Sequence, residues 1–315
     1  MRKAHEYFLV LAKTLHFTRA ANQLYISQQA LSDQIQHLEA ELHTKLFIRK
    51  PKLALTPAGE LLEQTLYNIC RLEKNFHAQL TELDKVDVGT IQIGMHTGRA
   101  NILFPRILDL FYQRYPQVSI HTISDQTRNY KQLLDEGKID FFFGINAPYH
   151  AELASDIITD EPMCLVIHTK ALQRLFPGCP PEKLEALRQG ADLEQFVEVP
   201  FIFASEISQG QSAINQYLAR KNLHLHVSLV LNDYTIQYRL LSTMPGACFC
   251  YKMLAPTILQ YSRSLPLGEA LHVFPLKDFC EPLKLSLVRY CGAFFPPFTQ
   301  YLYDLIRREV TQLVQ

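Results

Sequence analysis

Residues 18–42 read TRAANQLYISQQALSDQIQHLEAEL, and the reading of this stretch decides the fold. Thr18 is suited to N-cap a short helix over residues 19–24, Tyr25 and Ile26 make a turn, and Ser27 caps a second helix. In that second helix Leu31, Ile35, Leu38 and Leu42 recur at steps of four, three and four, which makes one buried stripe. The opposite face carries Gln29, Asp33 and Gln36, with Ser32 on its flank and Gln28 at its exposed start. Amides pair bidentately with adenine and hydroxyls bond to several bases, so this face suits a major-groove reader. Two helices of an ordinary helical domain would show the same pattern, since the helix-turn-helix shape recurs in unrelated folds.

The flanks favour the DNA reading. Upstream, Tyr7, Phe8, Val10, Leu11 and Leu15 predict another helix to pack against. Downstream, LFIRKPKLALT at residues 46–56 predicts two short strands around a tip at Lys50, Pro51 and Lys52. Arg49, Lys50 and Lys52 form a basic cluster with no acid beside them in sequence. A basic hairpin next to such a helix is a wing, and its charges meet phosphate. The candidate DNA contacts are therefore Thr18, Arg19, Ser27, Gln28, Gln29, Ser32, Asp33, Gln36, Arg49, Lys50 and Lys52.

The run FTRAA at 17–21, Ser27 with Gln28, ALS at 30–32, Gln34 with Ile35, Leu38 with Glu39, Leu46 with Phe47, Arg49, and LTPAG at 55–59 hold their spacing without a gap over about fifty residues. This segment resembles the N-terminal domain of the LysR-type transcriptional regulators. Three positions depart from that family's pattern. Gln29 stands where the family has Pro, Asp33 where it has a basic residue, and His43 where it has Gly. Gln29 gives up the fixed backbone angle of a first-turn proline and gains two hydrogen-bonding groups. Asp33 repels phosphate; it accepts from cytosine N4, or else pairs with a neighbouring cation. An unusual operator preference is expected. His43 falls where a left-handed C-cap belongs, at a cost of about 1 kcal/mol, or else the helix ends differently.

Lys plus Arg and Asp plus Glu balance at 31 each, so net charge says nothing about nucleic acid; the first sixty or so residues lean basic, and local charge is what a phosphate backbone feels. At 315 residues, 48% hydrophobic and 20% charged, the chain has the composition of a globular protein of about two or three domains. The apolar run at 8–12 is too short for a signal peptide, and no stretch approaches the ~20 apolar residues of a membrane span, so a cytoplasmic location is expected. Seven scattered cysteines fit reduced thiols better than a disulfide framework. Cys248 and Cys250 are expected on one buried strand face, and His224 and His226 on an exposed edge.

Thr56 and Pro57 open a helix that nothing interrupts to about residue 83. Leu62, Leu66, Ile69, Leu72, Phe76, Leu80 and Leu83 form a stripe along it. At 1.5 Å per residue it spans about 40 Å, and a second copy is an economical cover for the stripe, although packing on its own chain would serve too. In the resembling family this linker helix forms the dimer, which implies dimerisation through Leu62, Leu66, Ile69, Leu72 and Phe76, and a pseudo-palindromic DNA site.

After residues 86–90 strands and helices alternate. Strands are expected at 91–95, 118–123, 139–145, 163–168, 201–203, 227–231 and 247–251, with helices between. Residues 271–274 and 283–290 read as returns to the first sheet, a helix over 298–313 closes the chain, and residues 176–199 read as an extended peripheral insertion. Tyr115-Pro116 with Val118, and Gly137 with Asp140, resemble pieces of the same family's effector domain, which has the two-lobed fold of periplasmic binding proteins.

The expected architecture is thus α+β and multidomain. It comprises a winged helix-turn-helix DNA-binding domain at 1–58, a linker and dimerisation helix at 59–88, and an α/β two-lobed, periplasmic-binding-protein-like effector-binding domain at 89–315. Lobe I takes about 89–161 and 269–315, and lobe II about 162–268. Ligands of open α/β sheets sit at the C-terminal ends of strands, between lobes. That rule selects Thr97, Arg99, Asn101, Gln126, Thr127, Asn146, Ser205 and Asn232, with a small polar, carboxylate-bearing ligand on Thr97, Arg99 and Thr127.

Catalytic motifs are lacking: there is no GxGxxG, Walker A, HExxH or GxSxG. No catalytic residue, metal site or cofactor is expected. A solute-binding protein or an enzyme with an accessory helical domain are the competing readings; the first needs a signal peptide and the second a catalytic constellation. A ligand-responsive regulator accounts for winged helix, dimer helix and cleft together. Its expected partners are double-stranded DNA, a small-molecule effector and itself as homodimer or homotetramer, with no membrane.

Overall fold

The computed structural model describes residues 2–83 and 87–314. The chain divides into two compact units. The first holds the N-terminal helical segment, with which the short stretch Gln132–Lys138 groups; the second holds the remainder.

In the first unit α1 (Lys3–Thr14), α2 (Phe17–Gln23) and α3 (Gln28–Glu41) close around Phe8, Leu11, Ala20, Ala21, Leu31, Ile35 and Leu38, all buried. Ser27 Oγ accepts from the Ala30 N–H at 3.1 Å and starts α3 as expected. Tyr25 makes the turn before it with φ 55°. Two expectations need correction. The N-cap of α2 is His16, not Thr18: its unprotonated Nδ1 accepts from the Arg19 N–H at 3.3 Å, and Thr18 lies inside the helix. Leu42 is 43% exposed, because α3 ends at Glu41 and Leu42 falls at the C-cap, beyond the buried stripe. His43 takes the left-handed conformation without being glycine, φ 50°.

Strands β1 (Phe47–Ile48) and β2 (Ala54–Leu55) pair antiparallel and form the wing. Buried Glu39 of α3 fastens its base. One carboxylate oxygen accepts from the Leu46 and Phe47 N–H groups at 3.0 and 3.3 Å, and the other from Lys45 Nζ at 2.8 Å. Burial pushes the Glu39 pKa up, but Lys45 and the two N–H groups together hold it below the usual carboxylate value.

Helix α4 (Pro57–Leu83) follows, with Thr56 Oγ1 accepting from the Gly59 N–H at 3.0 Å. A Cβ at Gly59 would stand 2.2 Å from the Leu46 carbonyl oxygen, so only glycine lets the first turn lie against the wing's base. Leu66 is buried in the helical core and Leu62 packs on it. Further along, Ile69, Leu72, Phe76 and Leu80 are exposed, as is Leu61. The Leu83 side chain and Val86 lie outside the described residues.

The second unit has two five-stranded mixed sheets. The first has order β4-β3-β5-β12-β6, from β3 (Gly89–Met95), β4 (Val118–Ile123), β5 (Phe141–Ile145), β6 (Leu153–Asp160) and β12 (Lys284–Tyr290). The second has order β11-β7-β10-β8-β9, from β7 (Met163–His168), β8 (Pro200–Phe203), β9 (His226–Val230), β10 (Ala247–Tyr251) and β11 (Leu271–Pro275). The pairs β3–β4, β3–β5, β8–β9 and β8–β10 are parallel, and every pair that β6, β7, β11 or β12 makes is antiparallel. The chain passes between sheets twice, at Glu161 and Pro162 and again after Pro275.

Here β11 corrects the expectation for residues 271–274. It pairs with β7 in the second sheet, Leu271 opposite His168, and only β12 returns to the first. Residues 176–199 are also not an extended appendage. They hold α8 (Pro181–Gln189), and Leu187, Leu193, Phe196 and Val199 are buried. The helices that matter for the cleft are α5 (Thr97–Arg114), α6 (Tyr130–Asp135), α9 (Gln209–Lys221) and α10 (Tyr234–Leu240); α12 (Pro297–Val314) packs on α5.

Candidate functional site

The outer face of α3 presents Gln28, Gln29, Asp33 and Gln36 to solvent, with Ser32 half-buried beside them. Ser27 is committed to capping. Thr18 and Arg19 are exposed at the start of α2, and the Thr18 hydroxyl donates to Gln28 Oε1 at 2.8 Å. Arg49, Lys50 and Lys52 are exposed on the wing, and the Arg49 guanidinium lies 5.7 Å from the centre of the Phe17 ring. Every expected DNA-contact residue is thus exposed or half-buried, with amides, hydroxyls and Asp33 on α2 and α3 and cations on α2 and the wing.

In the α/β unit a cleft with about 350 Å³ of free volume opens where the strands of both sheets end. Thr97, Arg99, Asn101, Gln126, Thr127, Ser205 and Asn232 line it, as expected. Asn146 does not. Its amide joins two strands instead, donating to the Pro282 carbonyl at 2.7 Å and accepting from the Lys284 N–H at 2.8 Å, with φ 45°. Ser205 and Asn232 bond each other, the Ser205 N–H donating to Asn232 Oδ1 at 2.7 Å. Thr127 Oγ1 accepts from the Ile145 N–H at 3.4 Å.

Arg99 is in the cleft but is not free to hold a carboxylate. It is 7% exposed and its Nη2 meets Glu161 Oε2 at 2.7 Å. The other Glu161 oxygen accepts from the Met253 N–H at 3.2 Å. Phe143 of the first sheet and Tyr251 of the second lie 5.2 and 5.0 Å from the guanidinium. The pair therefore ties together α5, the first crossover and the turn after β10. A buried cation held this way has already spent its charge on Glu161.

The aromatic and apolar part of the lining was not legible beforehand. Tyr130, Phe143, Tyr234, Tyr251, Met253 and Leu254 make an aromatic and apolar floor. Ser208 precedes α9 without capping it; its hydroxyl meets the Tyr234 hydroxyl at 2.9 Å. A Cβ at Gly210 would stand 2.4 Å from the Tyr251 hydroxyl, so glycine there admits the tyrosines to the start of α9. Burial pushes the Tyr130 phenol up to about 12 and Tyr234 well above its ordinary value, so both stay neutral donors. The signal that was available is positional: Ser208 and Asp233 precede helices that begin at the same strand ends.

Among the described residues, no group of His, Cys, Asp and Glu is arranged to hold a metal ion, and no helix is long and apolar enough to cross a membrane.

Two family models match the chain. One, a bacterial regulatory helix-turn-helix protein of the lysR family, matches residues 3–60; the other, a LysR substrate binding domain, matches residues 85–277. A probable RuBisCO transcriptional regulator of Emiliania huxleyi is 28% identical over 291 residues, covering 89% of this chain and 87% of that protein. Its namesake in Cyanophora paradoxa is 30% identical over 281 residues, 86% and 80% of the two chains. The DNA-binding transcriptional dual regulator OxyR of Escherichia coli (strain K12) is 30% identical over 164 residues, 52% and 54%. Among solved structures, a full-length OxyR variant from Pseudomonas aeruginosa has TM-score 0.64 at 16% identity, covering 98% of this chain and 94% of that one. CbnR complexed with its target DNA has TM-score 0.52 at 18% identity, covering 98% and 99%. These last two show the same fold. The chain belongs to the LysR family and is a DNA-binding transcriptional regulator with an effector-binding domain.

Proposed function

We propose that residues 1–58 are the DNA-binding domain, 59–88 the linker and dimerisation helix, and 89–315 the effector-binding domain, with β11 assigned to lobe II. The protein acts in the cytoplasm as a homodimer that assembles further to a tetramer, on pseudo-palindromic promoter sites. Bases are read by Gln28, Gln29, Ser32, Asp33 and Gln36, with Thr18 bonded to Gln28 beside them, and phosphates are held by Arg19 and the wing cations Arg49, Lys50 and Lys52. The observation that carries this reading is the exposed amide and hydroxyl face of α3 beside a basic wing. Support for the dimer comes from the exposed apolar stripe of α4.

The co-inducer is a small polar metabolite bound in the cleft against Thr97, Thr127, Asn101, Gln126, Ser205 and Asn232. Arg99 does not serve as its carboxylate partner, because Glu161 already neutralises it. An anionic group on the ligand has the exposed Arg128 to meet instead. The ligand shifts a pre-existing balance between lobe arrangements, and does so only as far as it binds one arrangement more tightly.

Selection of genomic fragments on the purified protein at physiological salt, with sequencing of what is retained, tests the reading. A few enriched, near-palindromic sites are expected. No retention even at low salt would refute the DNA surface. If Asp33→Arg left the preferred sequence unchanged, Asp33 would have no role in base reading.

A further inference from the structure

We infer that Thr18 is a positioning residue for sequence readout, and that it does this by holding the Gln28 side chain in place at the start of α3. The inference rests on the reading of α3 as the base reader.

A glutamine amide presents a carbonyl oxygen and an NH₂ group of nearly the same shape. It pairs bidentately with a base only when the side chain stands in one place, and a free glutamine samples many rotamers. Gln28 stands at the first position of α3 with its side chain exposed. Ser27 beside it is occupied by the Ala30 N–H. The contact that holds the side chain comes from α2, ten residues upstream. The Thr18 hydroxyl donates to Gln28 Oε1 at 2.8 Å.

Thr18 has the hydroxyl to give because it is not a cap. His16 accepts from the Arg19 N–H and does that work. A carbonyl oxygen has two acceptor sites. Oε1 therefore keeps one for an adenine N6 donor while Nε2 faces N7, and Thr18 sets where the amide stands. In the free protein the bond is exposed and contributes little to stability. Under DNA it loses its competing water and strengthens. Gln28 also enters the complex with less side-chain freedom left to lose.

The test is selection from a random duplex pool with the full-length protein and four variants: Thr18→Val, which keeps the β-branched shape without the hydroxyl, Thr18→Ser, Gln28→Ala, and Thr18→Val with Gln28→Ala. In Thr18→Val the discrimination at one base pair of each half-site is expected to fall about 10-fold, the scale of one bidentate base contact. Thr18→Ser is expected to restore it. In the Gln28→Ala background, Thr18→Val is expected to add no further change at that base pair. Three results overturn the inference. One is an unchanged base preference in Thr18→Val. Another is an effect that persists at the same base pair without Gln28. The third is a uniform loss across all sequences with a shallower salt dependence, which marks Thr18 as a phosphate contact. If the wild-type protein enriches no sequence, the base-reading role of α3 falls, and this inference with it.

Discussion

Arg99 and Glu161, 62 residues apart, meet at 2.7 Å with side chains 9% and 0% exposed. The pair lies on the cleft floor, beside the first of the two crossovers between the sheets. Two charges this deep are held by each other, and the loss of either leaves the other buried and uncompensated. Glu161→Ala and Arg99→Met are each expected to lower unfolding stability by about 3–5 kcal/mol. The double variant Arg99→Met with Glu161→Met removes both charges and is expected to cost far less than the sum. Urea denaturation of the three variants checks this. Additive losses would mean that the two residues act independently.

That pair also marks the limit of what the sequence makes legible. Ser27, the stripe of α3 and the Thr56 cap are local signals: a side chain and an N–H three residues on, or a period along one helix. They were readable, and so was the place of Arg99, just after a strand end. Its role was not, because Glu161 follows Asp160 between two strands with no local sign of a partner, and only the tertiary fold brings it under α5. Asn146 also follows a strand, but its left-handed backbone and its bonds to Pro282 and Lys284 turn it away from the cleft. The strand at 271–275 has the same apolar pattern whichever sheet it joins, so its pairing with β7 had no sequence signal. His16 was missed as a cap because an imidazole nitrogen does the work usually assigned to a hydroxyl.

His168 gives the fold a pH limit. It is fully buried, and its Nδ1 accepts from the Lys170 N–H at 3.1 Å, so the neutral ring carries its proton on Nε2. That Nε2 has no hydrogen-bond partner, and the nearest carboxylate oxygen, on Glu269, is 3.9 Å away. Burial pushes the His168 pKa down, with Glu269 opposing and Lys170 adding to it; burial also lowers His272. The unfolded chain then binds protons that the folded one refuses. The contribution is fully present above the ordinary histidine pKa of about 6.5 and is lost as pH falls below it. Thermal melts between about pH 7.5 and 5 are expected to show a falling midpoint, and His168→Gln is expected to flatten that dependence. A midpoint that rises on acidification would contradict it.

The cysteines sort by burial. Cys164, Cys248 and Cys250 are buried, while Cys280 and Cys291 are exposed. Cys164 and Cys250 stand opposite each other in the β7–β10 pair. Burial pushes the Cys248 thiol up; for Cys250 the hydrogen bond with Cys164 does so first and burial second. A thiol held protonated and out of solvent is a poor nucleophile. Brief alkylation of the native protein, read by mass spectrometry, is expected to label Cys280 and Cys291 and to spare the three buried thiols. Denaturant above the unfolding midpoint is expected to expose all three together. Rapid native labelling at Cys250 would show instead that β10 opens locally.

Along α4 the apolar stripe changes its partner part-way. Leu62 and Leu66 are satisfied by the helical core of their own chain, which is the alternative to dimerisation that the sequence left open. That covers only about the first three turns. Leu72 and Phe76 remain 64% and 57% exposed, with Ile69 and Leu80 on the same side. A contiguous exposed apolar stripe on a 27-residue helix is costly in water and is relieved when a second copy covers it. Burying a Leu or Phe side chain is worth about 1.5–3 kcal/mol, so placing charges at both positions weakens self-association by about 100-fold or more. Leu72→Asp with Phe76→Asp is therefore expected to yield monomers at micromolar concentration in light-scattering chromatography, and to lose cooperative binding to two half-sites. Because neither residue belongs to the helical core, the melting of that core in the monomer should survive the change. A dimer that persisted in the double variant would move the interface off α4, and the α/β unit would then have to supply it.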